Sequence, residues 1–232
     1  MGEPYIVTMF TAAKIHALLF KILLDNQYNA MKDIELYLRD QFQQIRETHV
    51  FKASIPSSWP SEDQLDQLKY KSSGQFIYAT IVIRYVESSL HRPQQRLDAI
   101  LGLWPPFKDL PFSELDALYL HLLISTDDPS RAADIMAFLA LYHKISPADI
   151  DKMLNLESGE AEVCLSRMAA IVNIELSLNN IYASLLHKSF GDFLFDSDRS
   201  KGLSKARTEI ETWHSLRIIQ IFSGKRFVLL PV

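Results

Sequence analysis

The sequence predicts a mainly α fold with one small β-hairpin, and three observations carry that prediction. Apolar residues recur at helical spacing along most of the chain, beginning with Ile34, Leu38, Phe42 and Ile45. A proline- and serine-rich segment at residues 54–60 and a proline-rich one at 104–111 cut those stretches into lengths suited to globular helices. Apolar residues alternate with others on the two sides of Asn179-Asn180, the pattern of a hairpin. The 232 residues are 48% hydrophobic with 7 Gly and 10 Pro, enough apolar material for a core, which excludes disordered and collagen-like classes. A net charge of -4 exerts no global pull on nucleic acid or anionic lipid. One cysteine, Cys164, cannot form an internal disulfide, so a cytoplasmic protein is expected.

The elements follow in order. From Asp33 the four apolar residues above lie opposite Arg39, Asp40, Gln43 and Arg46, an amphipathic surface helix. Residues 54–60 read as a loop, and Ser61 with Gln64 three residues on forms a capping box for the next helix. Ser72-Ser73-Gly74 interrupts the chain, and Gly74 suits a turn, a close backbone approach or a plain helix stop. The apolar run 76–83 meets Arg84 well short of the ~20 residues a membrane span needs, so a buried helix is expected there. The main domain boundary is placed at 104–111, where proline removes donors. Leu115, Leu118, Tyr119, Leu122 and Leu123 form a second helical face, residues 126–130 break it, and Ile135, Met136, Leu139 and Ala140 form a third.

Ser146 before Pro147, with Asp149 in the first turn, specifies a helix through Leu154. Ser158 is the expected cap of a helix carrying Val163, Leu165, Met168 and Ile171. Ile174, Leu176 and Leu178 then alternate on one side of Asn179-Asn180, with Ile181, Ala183 and Leu185 on the other. Helix, turn, helix and hairpin is a winged-helix order, and a short helix over 188–195 follows. Trp213, Leu216, Ile219 and Ile221 suggest one more helix before an apolar tail at 227–232.

The motif search is mostly negative. The Gly224-Lys225 pair is followed by Arg226 and lacks the upstream glycine of a P-loop. No two of the seven histidines lie within five residues of each other, so no metal site is expected, and no G-x-S-x-G occurs. No catalytic residue is assigned. Residues 147–171 carry Lys152 and Arg167 against Asp149, Asp151, Glu157, Glu160 and Glu162, a surface that repels a phosphate backbone, so nucleic acid is not an expected partner.

The string Tyr182-Ala183-Ser184-Leu185-Leu186-His187-Lys188-Ser189-Phe190-Gly191-Asp192-Phe193-Leu194 resembles the winged-helix motif of NACHT-type signal-transduction NTPases, where an apolar strand ends in His, then x-Ser-Phe. Residues 71–80 are similar to the K-S-x-G-x-F-I-Y-A segment of fungal NOD-like receptors in that family. Residues 2–6 are similar to its P-E-P-H-I segment, and residues 33–49 to its D-I-x-x-Y-L-x-x-x-F-x-x-I-R-x-x-H helix. The resemblance implies a remnant of the NACHT core over 1–50, a helical lid domain over 51–104, a winged-helix domain over 105–198, and a C-terminal helix and tail over 199–232. It implies ADP or ATP as the nucleotide of a full-length relative and none for this chain alone, which has no counterpart to the P-loop, the acidic strand or the sensor arginine.

By the same resemblance His187 donates to the ADP β-phosphate and holds the switch closed, while Gly74 and Phe76 lie near the adenine, although many relatives carry proline at the position of Phe76. The residues themselves also allow His187 to be a core histidine bonded to a backbone carbonyl, and Gly74 and Phe76 to be a structural turn and a core aromatic. The implied function is that of a regulatory, non-catalytic fragment with an NTPase core or another protein as partner. A stand-alone interaction module, with oligomers formed through uncovered apolar surface, is the alternative, a nucleic-acid-binding winged helix ranks behind it, and no membrane association is expected.

Overall fold

Ten helices and one two-stranded antiparallel hairpin make up the described residues of this computed structural model, which are 30–105, 112–177, 180–203 and 207–223. The first half holds α1 (Ala30–Thr48), α2 (Glu62–Ser72), α3 (Phe76–Val86) and α4 (Pro93–Leu101). The amphipathic reading of α1 holds, since Ile34, Leu38, Phe42 and Ile45 are all buried. Phe42 meets Trp59 edge-on with ring centroids 5.2 Å apart, which seats the 54–60 loop on the helix. Both bonds of the capping box at the start of α2 are made: Gln64 N donates to Ser61 Oγ at 3.2 Å, and Ser61 N donates to Gln64 Oε1 at 3.0 Å. The helix α3 buries Tyr78, Ala79, Ile81, Val82, Ile83 and Val86, as its apolar run predicts. No helix among the described residues is long and apolar enough to cross a membrane.

The second half holds α5 (Ser113–Ile124), α6 (Pro129–Tyr142), α7 (Pro147–Leu154), α8 (Glu160–Arg167), β1 (Val172–Ser177), β2 (Asn180–Leu185) and α9 (Ser189–Leu194), and α10 (Arg207–Ser223) follows. All five predicted apolar residues of α5 are buried. Asp128 caps α6 by accepting from Arg131 N at 3.0 Å, and Ser146 caps α7 by accepting from Asp149 N at 3.1 Å. The helix α6 is wrapped more fully than its single predicted face implies, because Ala132, Ala133, Ile135, Met136, Ala137, Phe138 and Leu139 are all buried. It touches α5, α7, α8, α9 and β2. A Cβ at Gly191 would stand 3.2 Å from Ala140 Cβ, so the missing side chain lets α9 lie close on α6.

Three sequence expectations are corrected here. Gly159, at φ +89, and not Ser158, occupies the cap position of α8, and its backbone N–H and that of Ala161 donate to Asp151 of α7 at 2.7 and 2.8 Å. Val163 is exposed while Ala161 and Leu165 are buried, and the helix ends at Arg167, leaving Met168 and Ile171 buried in the turn beyond it. On α10 the buried residues are Ile210 and His214, whereas the predicted face residues Leu216, Ile219 and Ile221 are exposed.

The hairpin pairs Val172 with Leu185, Ile174 with Ala183, Leu176 with Ile181 and Ser177 with Asn180, so Asn180 is a strand residue and not a turn residue. Leu178 and Asn179 lie outside the described residues, as do residues 2–6, 106–111 of the proposed domain boundary, and the 224–232 tail. Ile145 exchanges two backbone bonds with Ala183, at 2.8 and 3.1 Å, and extends the hairpin by one bridging residue. The alternating apolar face is buried at its base, at Val172 and Ala183, and exposed toward its tip, where Leu176 is 77% exposed. Short helices followed by a small hairpin match the expected mainly α class.

Side-chain contacts among the described residues join the halves. Arg84 of α3 donates to Asn173 Oδ1 at 2.9 Å and to Val172 O at 2.7 Å. Lys71 of α2 donates to Leu103 O at 2.7 Å and pairs with Glu114 of α5 at 2.8 Å. The Tyr85 hydroxyl lies 2.9 Å from His121 Nε2.

Candidate functional site

The strand β2 leads directly into the residue singled out from sequence. Its exit is fixed by Leu186 N, which donates to Ile171 O at 2.8 Å, and His187 emerges exposed one residue later. The next turn is anchored from below. Phe190 and Phe193 point into the core against the buried Tyr119 of α5, with ring centroids 4.9 and 5.4 Å away, as their spacing predicts. Asp192, on the same helix, is exposed.

Above that aromatic base a polar chain reaches the surface. The Tyr119 hydroxyl lies 2.7 Å from Ser189 Oγ, and Ser189 Oγ lies 2.7 Å from His187 Nδ1. Ser189 N also donates to His187 Nδ1 at 3.2 Å. Burial pushes the Tyr119 phenol up to about 12, so it stays protonated. His187 Nε2 has no partner among the described residues. The histidine is therefore neither in the core nor bonded to a backbone carbonyl; it is exposed, with one ring nitrogen engaged by Ser189.

Gly74 and Phe76 stand elsewhere, at the junction of α2 and α3. Ser73 at φ 49 and Gly74 at φ 77 are consecutive left-handed residues that stop α2 and turn the chain. A Cβ at Gly74 would meet nothing within 4 Å, so glycine is there for its backbone angle and not for a close approach. Phe76 is 44% exposed rather than a core aromatic, its ring 6.0 Å from that of Tyr37. No hydrogen bond or ring contact among the described residues joins either residue to His187. The helix α5 lies between them in the chain of contacts: Glu114 is paired with Lys71, three residues before Gly74, and Tyr119 with Ser189, two residues after His187.

Lys71, the cation nearest Gly74 in sequence, is already held by Glu114 and a carbonyl and is not available as a phosphate clamp. Among the described residues no group of three His, Cys, Asp or Glu side chains could hold a metal ion. Cys164 is half-buried and its thiol is pushed up to about 11 by that burial, which makes it a weak nucleophile.

The acidic region 147–171 is largely engaged within the fold. Asp151 caps α8, Glu160 pairs with Arg131, and Arg167 pairs with Asp127. Tyr119 and Ser189, which set the orientation of His187, were not singled out as site residues from sequence. Ser189 belongs to the quoted motif, but Tyr119 reads as one more apolar residue of α5. Its only signal is general: a buried tyrosine hydroxyl requires a partner. No family model, no curated protein and no solved structure matches the chain.

Proposed function

We propose that this chain is the regulatory, non-catalytic part of a NACHT-type signal-transduction NTPase, in which the winged helix holds a nucleotide switch closed when a P-loop core is paired with it. The observation that carries this reading is His187: it stands exposed just beyond β2, with Nδ1 engaged by Ser189 and Nε2 without a partner among the described residues. The placement of the hairpin against the first half adds support, because Arg84 ties α3 to β1 and would couple any movement at the histidine to the helical half. The core that supplies the phosphate cradle belongs to the same polypeptide or to a partner, and ADP is the expected bound nucleotide.

The test is immunoprecipitation of the native protein with an antibody raised against residues 146–171, followed by peptide sequencing and nucleotide extraction. Peptides of a P-loop, contiguous or co-purifying in equal amount, together with ADP released on denaturation, are the expected result. A native species of 26.6 kDa with neither P-loop peptides nor nucleotide refutes the reading. The alternative, a stand-alone interaction module, draws on the exposed apolar residues Ile174 and Leu176 of the hairpin and Phe222 of α10. It predicts a concentration-dependent oligomer of the chain on gel filtration.

A further inference from the structure

We infer that Tyr119 and Ser189 are positioning residues that fix His187 in a single tautomer, with its proton on Nε2 and directed outward as a preset donor to a phosphoryl oxygen. The ligand class rests on the switch reading above; the tautomer does not. A backbone N–H can only donate, and Ser189 N is 3.2 Å from His187 Nδ1, so Nδ1 is the acceptor. A neutral imidazole whose Nδ1 accepts must carry its proton on Nε2. The serine hydroxyl has one proton and two lone pairs, and it lies 2.7 Å from both Nδ1 and the Tyr119 hydroxyl. With Nδ1 accepting, the serine gives its proton to the histidine and receives one from the tyrosine. Every proton in the chain then points the same way, from Tyr119 through Ser189 to His187.

The base of this relay is rigid. Tyr119 is 0% exposed and is held between Phe190 and Phe193, so its hydroxyl has little freedom to turn away. The opposite tautomer would set two N–H groups against each other at His187 and leave the Ser189 amide unpaired. An exposed histidine is ordinarily free to exchange tautomers; here one nitrogen is committed inward and the other keeps its donor.

The experiment is a long-range ¹H–¹⁵N correlation of the ¹⁵N-labelled 232-residue chain in mildly alkaline buffer, with the His187 ring signals assigned by their loss in His187→Gln. The wild type is expected to show one tautomer, protonated at Nε2, with Nδ1 shifted as a hydrogen-bonded acceptor. Ser189→Ala, which keeps the backbone N–H and removes the hydroxyl, is expected to reduce the Nδ1 shift, Ser189→Thr to restore it, and Tyr119→Phe to reduce it to a lesser degree. A wild-type proton on Nδ1, or the same tautomer average as the urea-unfolded chain, overturns the inference, and this outcome needs no variant to fold. An unchanged Nδ1 shift in a folded Ser189→Ala protein overturns it as well.

Inorganic phosphate in excess is expected to shift His187 Nε2 more than the ring nitrogens of exposed His143, and an equal or smaller shift overturns the ligand assignment. Loss of the P-loop partner with the tautomer preset would sink the switch reading alone. An averaged tautomer in a protein that carries its P-loop partner would sink only this inference.

Discussion

Replacing Asp151 by alanine should destabilise the second half through two backbone amides that lose their partner. The carboxylate is 7% exposed and accepts from Gly159 N at 2.7 Å and Ala161 N at 2.8 Å, so it does for α8 what a local cap residue normally does. Ala161 is fully buried, and its orphaned N–H has no route to water. A lost charge-assisted bond costs about 1.5–3 kcal/mol where the donor is left buried, and less where water can replace it, as at the half-buried Gly159. Together the expected loss is about 3 kcal/mol, which at a urea slope of about 2 kcal/mol/M lowers the midpoint by about 1.5 M. Asp151→Asn, which can accept at only one oxygen, should lose roughly half as much. Urea unfolding followed by far-ultraviolet dichroism measures both, and amide exchange at Gly159 and Ala161 locates the effect. An Asp151→Ala loss below about 0.5 kcal/mol, the size of a neutral surface change, would show that the remote cap does not hold α8.

Two further predictions concern His214 and Arg84. His214 is 1% exposed among Phe138, Tyr142 and Trp213, and its buried Nδ1 has no hydrogen-bond partner; burial lowers its pKa from 6.5 to about 4. Between those values the unfolded chain binds the proton and the native one does not. Stability is therefore full above pH 6.5 and declines as pH falls toward 4, by about 3 kcal/mol. His214→Phe should remove this part of the pH slope in thermal melts from pH 7 to 4, and an unchanged slope would contradict the burial argument. Arg84→Met removes both bonds to β1 and strands the carbonyl of buried Val172, with an expected cost of about 2 kcal/mol and faster exchange of the hairpin amides; Arg84→Lys should recover part of it.

What could be read from the chain depended on whether the deciding interaction was local. The stripe on α1, the Ser61–Gln64 box and the Ser146 cap all close within one or two helical turns, so residue order alone specifies them. The cap of α8 does not close locally: Ser158 has the right chemistry at the right place, yet a carboxylate from the preceding helix takes the amides first. The buried face of α10 escaped the periodicity argument because His214 and Ile210 face the core while Leu216, Ile219 and Ile221 face outward. Position 187 was singled out through the motif resemblance, and its exposure beyond β2 is a product of the fold. The hydroxyl that orients it comes from Tyr119, 68 residues earlier in the chain, a pairing that only the fold brings about.

The burial of α6 on nearly all sides has a consequence for the order in which the protein matures. Its cover comes from α5 ahead of it and from α7, α8, β2, α9 and, through His214 on Phe138 and Tyr142, α10 after it. During synthesis α6 emerges with only one of its neighbours made, and its apolar surface stays open until α10 brings His214 onto Phe138. The core of α1 to α4 draws on residues between Ile34 and Ile100, all present long before that point. A ribosome-stalling series should show the first half consolidating early and the second closing in a single late step, with α10 as the piece that completes it.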